Sequence, residues 1–115
     1  MYILFDIGGS KMRVAVSPDG KKFNPPQIVS TPKEDGMKVF LSLIKSVCGE
    51  KKIKTVAGGL PGYFDKEKTK ILGSAPNIKN WIKKPLAQEI KKITKSPVYL
   101  ENDADLVGLG EAIYG

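Results

Sequence analysis

The sequence predicts an α/β domain: a mixed five-stranded sheet, three antiparallel strands and then parallel ones, with helices covering it. Three observations carry that expectation. Short apolar segments joined by Gly- and Pro-rich turns open the chain. The hydrophobic period then lengthens from that of a strand to that of a helix. After that point strand-like and helix-like stretches alternate, which implies crossovers and parallel pairing. A length of 115 residues suits one domain, and no repeat, low-complexity tract or linker divides it.

The elements follow in order. Tyr2–Phe5 is a continuous apolar run and reads as a buried strand, ended by Asp6. Gly8-Gly9-Ser10 makes a turn into Met12–Val16, whose Met12, Val14 and Val16 alternate onto one face. Pro18-Asp19-Gly20 closes that strand with turn chemistry. A third strand over about 23–30 is interrupted by Pro25-Pro26, which suits an edge. Thr31-Pro32-Lys33-Glu34 has capping-box spacing, with Thr31 as N-cap and Pro32 at the first helical position. Met37, Phe40, Leu41, Ile44 and Cys48 then recur at helical spacing up to a stop at Gly49, although Gly36 weakens the first turn. Ile53–Ala57 is the fourth strand and ends in Gly58-Gly59-Leu60-Pro61-Gly62. Residues 63–83 read as loop-rich and contain the only Trp, Trp81. Pro85 opens a helix with a Leu86, Ile90, Ile93 stripe, Pro97–Leu100 is the fifth strand, and a last helix carries Leu106, Leu109 and Ile113 on one face. Gly108 and Gly110 within it point to close packing against a neighbour.

Composition excludes several classes of function. One Cys rules out an internal disulfide framework, and the absence of His removes a His-based triad and nearly all nitrogen-and-sulfur metal sites. Cys48 lies on the apolar stripe and reads as core. No apolar run approaches the roughly 20 residues of a membrane span, and Met1 leads into a strand without a basic signal-peptide start. The expectation is a soluble, cytoplasmic protein with no membrane partner. The net charge of +7 is almost all Lys, with Arg13 the only Arg. Base readout and bidentate phosphate clamps favour Arg, and aromatic platforms among the charges are missing. The lysines therefore read as a solvated surface with a weak anionic preference, not as a nucleic-acid interface.

The polar residues of interest fall at strand ends, where open α/β sheets bind their ligands. In Asp6-Ile7-Gly8-Gly9-Ser10-Lys11, a glycine pair allows positive φ and close approach of backbone N–H groups to an anion. Ser10 adds a hydroxyl and Lys11 a cation, and Asp6 can hold Mg²⁺ through water. An ordinary hairpin turn with a solvated Lys accounts for the same residues, and no Walker loop is present. Asp103 opens the last helix and reads either as its N-cap or as a base that deprotonates a hydroxyl. Glu101 and Asn102 make that strand end unusually polar. Asn77 can bind a polyol or simply serve a turn, with Trp81 as the loop's core anchor. Gly58–Gly62 either admits a sugar to the backbone or forms a loop with unusual dihedral angles.

Together DIGGSK (Asp6–Lys11), GGLPG (Gly58–Gly62), APNIKNW (Ala75–Trp81) and ENDADLVGLGEAIYG (Glu101–Gly115) resemble the ROK family of bacterial sugar kinases, in the family's order and roughly its spacing. The first motif alone is weak, because other actin-like ATPases share such turns; the second pair is far more specific. The resemblance implies the N-terminal lobe, residues 1–115, of an actin-like (ribonuclease H-like) kinase that moves the γ-phosphoryl of ATP to a hexose or N-acylhexosamine. It implies Asp103 as catalytic base, Asn102, Asn77 and Gly62 as sugar ligands, Asp6 as the residue positioning Mg²⁺, and Gly8, Gly9, Ser10 and Lys11 along the ATP phosphates. Ser10 stands where the family usually has Thr, and Asp105 where it often has Asn.

The resemblance further implies a C-terminal lobe, in cis or as a second chain, that brings the adenosine site, further sugar ligands and commonly a zinc site. This chain has neither the His nor the several Cys of that zinc site, so the expectation is half an enzyme, inactive alone. A homodimer is compatible with the family. The rivals are a sugar-sensing regulator and a non-catalytic sugar- or phosphate-binding module of the same family. The regulators carry a helix-turn-helix before this domain, which a chain starting directly in its first strand argues against.

Overall fold

The computed structural model describes residues 1–73 and 75–102. Among them a five-stranded sheet forms from β1 (Tyr2–Ile7), β2 (Lys11–Ser17), β3 (Gln27–Ser30), β4 (Thr55–Leu60) and β7 (Val98–Asn102), in the order β3-β2-β1-β4-β7. A separate hairpin pairs β5 (Tyr63–Phe64) with β6 (Ile71–Gly73). The central strand β1 runs antiparallel to β2 and parallel to β4, and β4 runs parallel to β7. Helices α1 (Gly36–Cys48) and α2 (Leu86–Thr94) are the crossovers that parallel pairing demands. The mixed sheet and its covering helices are thus as the sequence predicts. The expected last helix with Leu106, Leu109 and Ile113 lies outside the described residues.

Alternation along β1 decides which face is core. Ile3, Phe5 and Ile7 are buried, and Tyr2, Leu4 and Asp6 on the other face are half-buried. Met12 and Val14 of β2, Val56 and Leu60 of β4 and Leu100 of β7 join the buried set. Phe40 and Ile44 of α1 and Leu86 and Ile90 of α2 close over it. Phe5 and Phe40 meet with ring centroids 4.9 Å apart, and Phe40 meets Trp81 at 5.8 Å. Each such fully buried side chain contributes about 1.5–3 kcal/mol.

Four local expectations are corrected. The third strand starts only at Gln27, after the proline pair, because Pro cannot donate to the ladder. The capping box does not form: α1 begins at Gly36 behind Asp35, which is in the left-handed region and makes no side-chain cap. Gly36 is there for packing, since the Trp81 Nε1 atom lies 2.9 Å from where a Cβ would stand. Gly58 and Gly59 belong to β4 and not to a loop, and Gly62 alone of that run has a positive φ, 94°. In place of a long loop after Gly62 stand the β5–β6 hairpin and a 3-10 helix, Pro76–Trp81, which Trp81 anchors at 1% exposure.

Candidate functional site

The site is built where β1, β4 and β7 end side by side. Parallel pairing points all three the same way, so the turn after Ile7, the Pro61-Gly62 segment after Leu60 and the residues after Asn102 leave one edge of the sheet. The register sets Arg13, Asp6, Gly59 and Glu101 in one row across β2, β1, β4 and β7. Gly59 puts no side chain between the two acids.

The turn at 8–10 is held by its carbonyls. Gly8 N donates to Lys11 O at 2.8 Å, Thr31 N donates to Ser10 O at 2.9 Å, and the Thr31 hydroxyl donates to Gly8 O at 2.9 Å. Thr31, expected as a helix cap, instead ties the end of β3 to this turn. The Gly9 and Ser10 N–H groups have no acceptor among the described residues, and Gly9, Ser10 and Lys11 are exposed. Neither Gly8 nor Gly9 has the positive φ that the glycine pair suggested; a Cβ on residue 8 would crowd Lys11 O at 3.3 Å. This arrangement of exposed residues with two N–H groups, a hydroxyl and a cation fits a phosphate.

Asp6 is half-buried, and its Oδ2 lies 3.5 Å from Arg13 Nη1, with the two side chains 35% and 51% exposed. Such an exposed pair contributes about 0–1 kcal/mol, so it leaves Asp6 available to a hydrated dication. No cluster of three metal-binding side chains occurs among the described residues, so Mg²⁺ here would depend on Asp6, water and the phosphates it accompanies.

On the other side, Asn102 Nδ2 donates to Gly62 O at 2.8 Å, joining the end of β7 to the turn after β4. Glu101 accepts two bonds from Lys68 Nζ, at 2.8 and 3.0 Å. The structure therefore brings Asp6, Gly8, Gly9, Ser10, Lys11, Gly62 and Asn102 to one edge. The backbone of Asn77 falls in the 3-10 helix, but its side chain is outside the described part, and Asp103 lies outside the described residues. Sequence reasoning gave Thr31 a different role, as a helix cap, and missed Lys68. Nothing in the spacing around Thr31 points to the turn 23 residues away; Lys68 sits in a polar turn between apolar pairs, a pattern that marks a hairpin tip and not its contact.

A mixed sheet in this order, covered by helices and with its parallel strands ending at one edge, is the fold of the actin-like ATPases. The chain belongs to the ROK family, whose sequence profile matches residues 2–115. It is 36% identical to a glucokinase of Thermotoga maritima over 114 residues, 96% of this chain and 36% of the relative. It is 31% identical to an N-acetyl-D-glucosamine kinase of Shigella flexneri, covering 97% of this chain and 38% of the relative. A ROK family glucokinase from Streptomyces griseus, solved with glucose and AMPPNP, superposes with a TM-score of 0.76 at 29% identity, covering 99% of this chain and 36% of that one. A ROK family transcriptional regulator shares the fold, with a TM-score of 0.77 at 20% identity over 98% of this chain and 30% of that one. The chain thus spans about a third of the length of the relatives it matches. None of the described helices is long and apolar enough to cross a membrane.

Proposed function

We propose that this chain is the N-terminal lobe of a cytoplasmic ATP-dependent sugar kinase that phosphorylates a hydroxyl of a hexose or N-acylhexosamine. The observation that carries the reading is the shared edge: the Gly8–Ser10 turn and the Gly62–Asn102 hydrogen bond lie at the ends of neighbouring strands. One side suits phosphates and the other a polyol. The kinases among the relatives support the same reading.

In this mechanism the Gly9 and Ser10 N–H groups, the Ser10 hydroxyl and Lys11 receive the phosphates, and Thr31 keeps the turn in shape. Asp6 would hold Mg²⁺ through water, and that ion would supply charge neutralisation on the phosphate oxygens. Asn102, Asn77 and the Gly62 backbone orient the sugar. Asp103 takes the proton of the attacking hydroxyl. Water exclusion over the phosphoryl group needs the cleft closed by a second lobe, so the chain alone is inactive.

The test is ATP-dependent phosphorylation of glucose and N-acetylglucosamine by the chain alone and by the chain joined to a C-terminal lobe. Activity is expected only in the joined form. There Asp103→Ala should cut turnover by about 10²–10⁴-fold while largely sparing sugar binding. Robust turnover by the isolated chain refutes its inactivity, and turnover that survives Asp103→Ala refutes the catalytic assignment. The regulator's shared fold favours one other reading, a sugar-sensing module; it would bind sugar but leave phosphorylation absent from the joined form.

A further inference from the structure

Two consecutive residues of β7 hold the same hairpin, one at its foot and one at its tip. Asn102 reaches Gly62, at the foot, through Nδ2 at 2.8 Å. Glu101 reaches Lys68, at the tip, through both carboxylate oxygens at 2.8 and 3.0 Å. The tip is stiff in its own right: Asp65 accepts from the Thr69 amide at 2.6 Å, from the Lys70 amide at 3.0 Å and from the Thr69 hydroxyl. It is also tied to α2, because Ala87 N donates to Thr69 O at 3.1 Å. The tip therefore offers Glu101 a fixed partner.

The identity of residue 68 needs its own explanation. It lies in the left-handed region, with φ 56°, where Gly or Asn sits with less strain. Nothing inside the tip calls for a long cation. The ion pair with Glu101 does.

We propose that Lys68 is a positioning residue: its ion pair with Glu101 fixes the end of β7 so that Asn102 is held against Gly62. Its consequence for sugar binding rests on the proposed function, because Asn102 and Gly62 are sugar ligands only on that reading. The pair is half-exposed, with Lys68 at 52% and Glu101 at 24%, so salt weakens it.

The experiment compares the chain with Lys68→Met, Lys68→Arg and the Lys68→Glu/Glu101→Lys exchange. The first readout is NMR hydrogen exchange of the Asn102 side-chain amide at low and high salt, with thermal midpoints measured alongside. Lys68→Met should speed that exchange about fivefold and abolish its salt dependence, with an unchanged midpoint; Lys68→Arg and the charge exchange should restore protection. The second readout is titration of the chain joined to a C-terminal lobe with glucose and N-acetylglucosamine, where Lys68→Met should weaken binding by a similar factor and Lys68→Arg should not. Asn102 protection that ignores Lys68→Met, or that the two rescue variants fail to restore, overturns the proposal. Coupling as expected in a joined form that binds neither sugar leaves the positioning role standing and defeats the carbohydrate reading instead.

Discussion

Phe5 and Gly58 face one another across the parallel strands β1 and β4, and the Phe5 ring fills the space a Cβ on residue 58 would need. The ring atoms lie 2.1–2.3 Å from that position, far inside van der Waals contact. The same ring packs at a tilt against Phe40 of α1, so it has no free volume to retreat into. Gly58→Ala should therefore destabilise the fold by about 3 kcal/mol, at the upper end of overpacking effects. Urea denaturation checks this; a change of less than about 1 kcal/mol would mean that the two strands are not in this register.

Thr31 gives a prediction about the anion turn. Its hydroxyl bond to Gly8 O is lost in Thr31→Val, whereas its backbone bond to Ser10 O remains. The side chain keeps its shape, so the expected loss is about 1 kcal/mol. The loss should appear locally, as faster amide exchange at Gly8, whose N–H is bonded to Lys11 O. On the proposed function, nucleotide affinity of the joined form should fall with it. Equal exchange in both proteins would show that the hydroxyl does not hold the turn.

How much of this was legible in the sequence depends on the range of the interactions. Alternation in β2 and the apolar run of β1 are local patterns dictated by burial, and they gave the sheet. The Met37–Cys48 stripe gave α1, and Gly49 ends it as expected, with φ 54° and its N–H on Lys45 O. The start of α1 was misread because Thr31 has a better use 23 residues away, at Gly8. Gly58-Gly59 looked like a loop because the reason for Gly58 is the Phe5 ring, from another strand. The hairpin at 63–73 was hidden for a related reason: Asp65 shapes its tip, and Lys68 and Gly62 hold it to β7, contacts with no spacing rule. The strand-end position of Asp6, Gly62 and Asn102 was readable because parallel strands put their carboxyl ends together whatever the long-range detail.

Asp65 supplies a pH dependence. Partial burial pushes its carboxyl up, but the Thr69 hydroxyl and the Lys70 and Thr69 amides outweigh that and hold it below the usual carboxylate range. A carboxyl lowered in the folded state stabilises it fully above the unfolded value of about 3.9, and that contribution fades as pH falls through the folded value. The tip should thus stay intact through neutral and mildly acidic pH and loosen only below about pH 4. Because the carboxyl is only half-buried and its bonds go to Thr69 and Lys70 within the tip, the effect should be confined to the tip, with little change in global stability. Chemical shifts of the Thr69 and Lys70 amides, followed from pH 7 downwards, should move together with a midpoint below about 3.9. In Asp65→Asn that step should vanish. A midpoint above 4 in the unaltered chain would mean that desolvation prevails over the hydrogen bonds, and that the tip is less rigid than its contacts with Thr69 and Lys70 require.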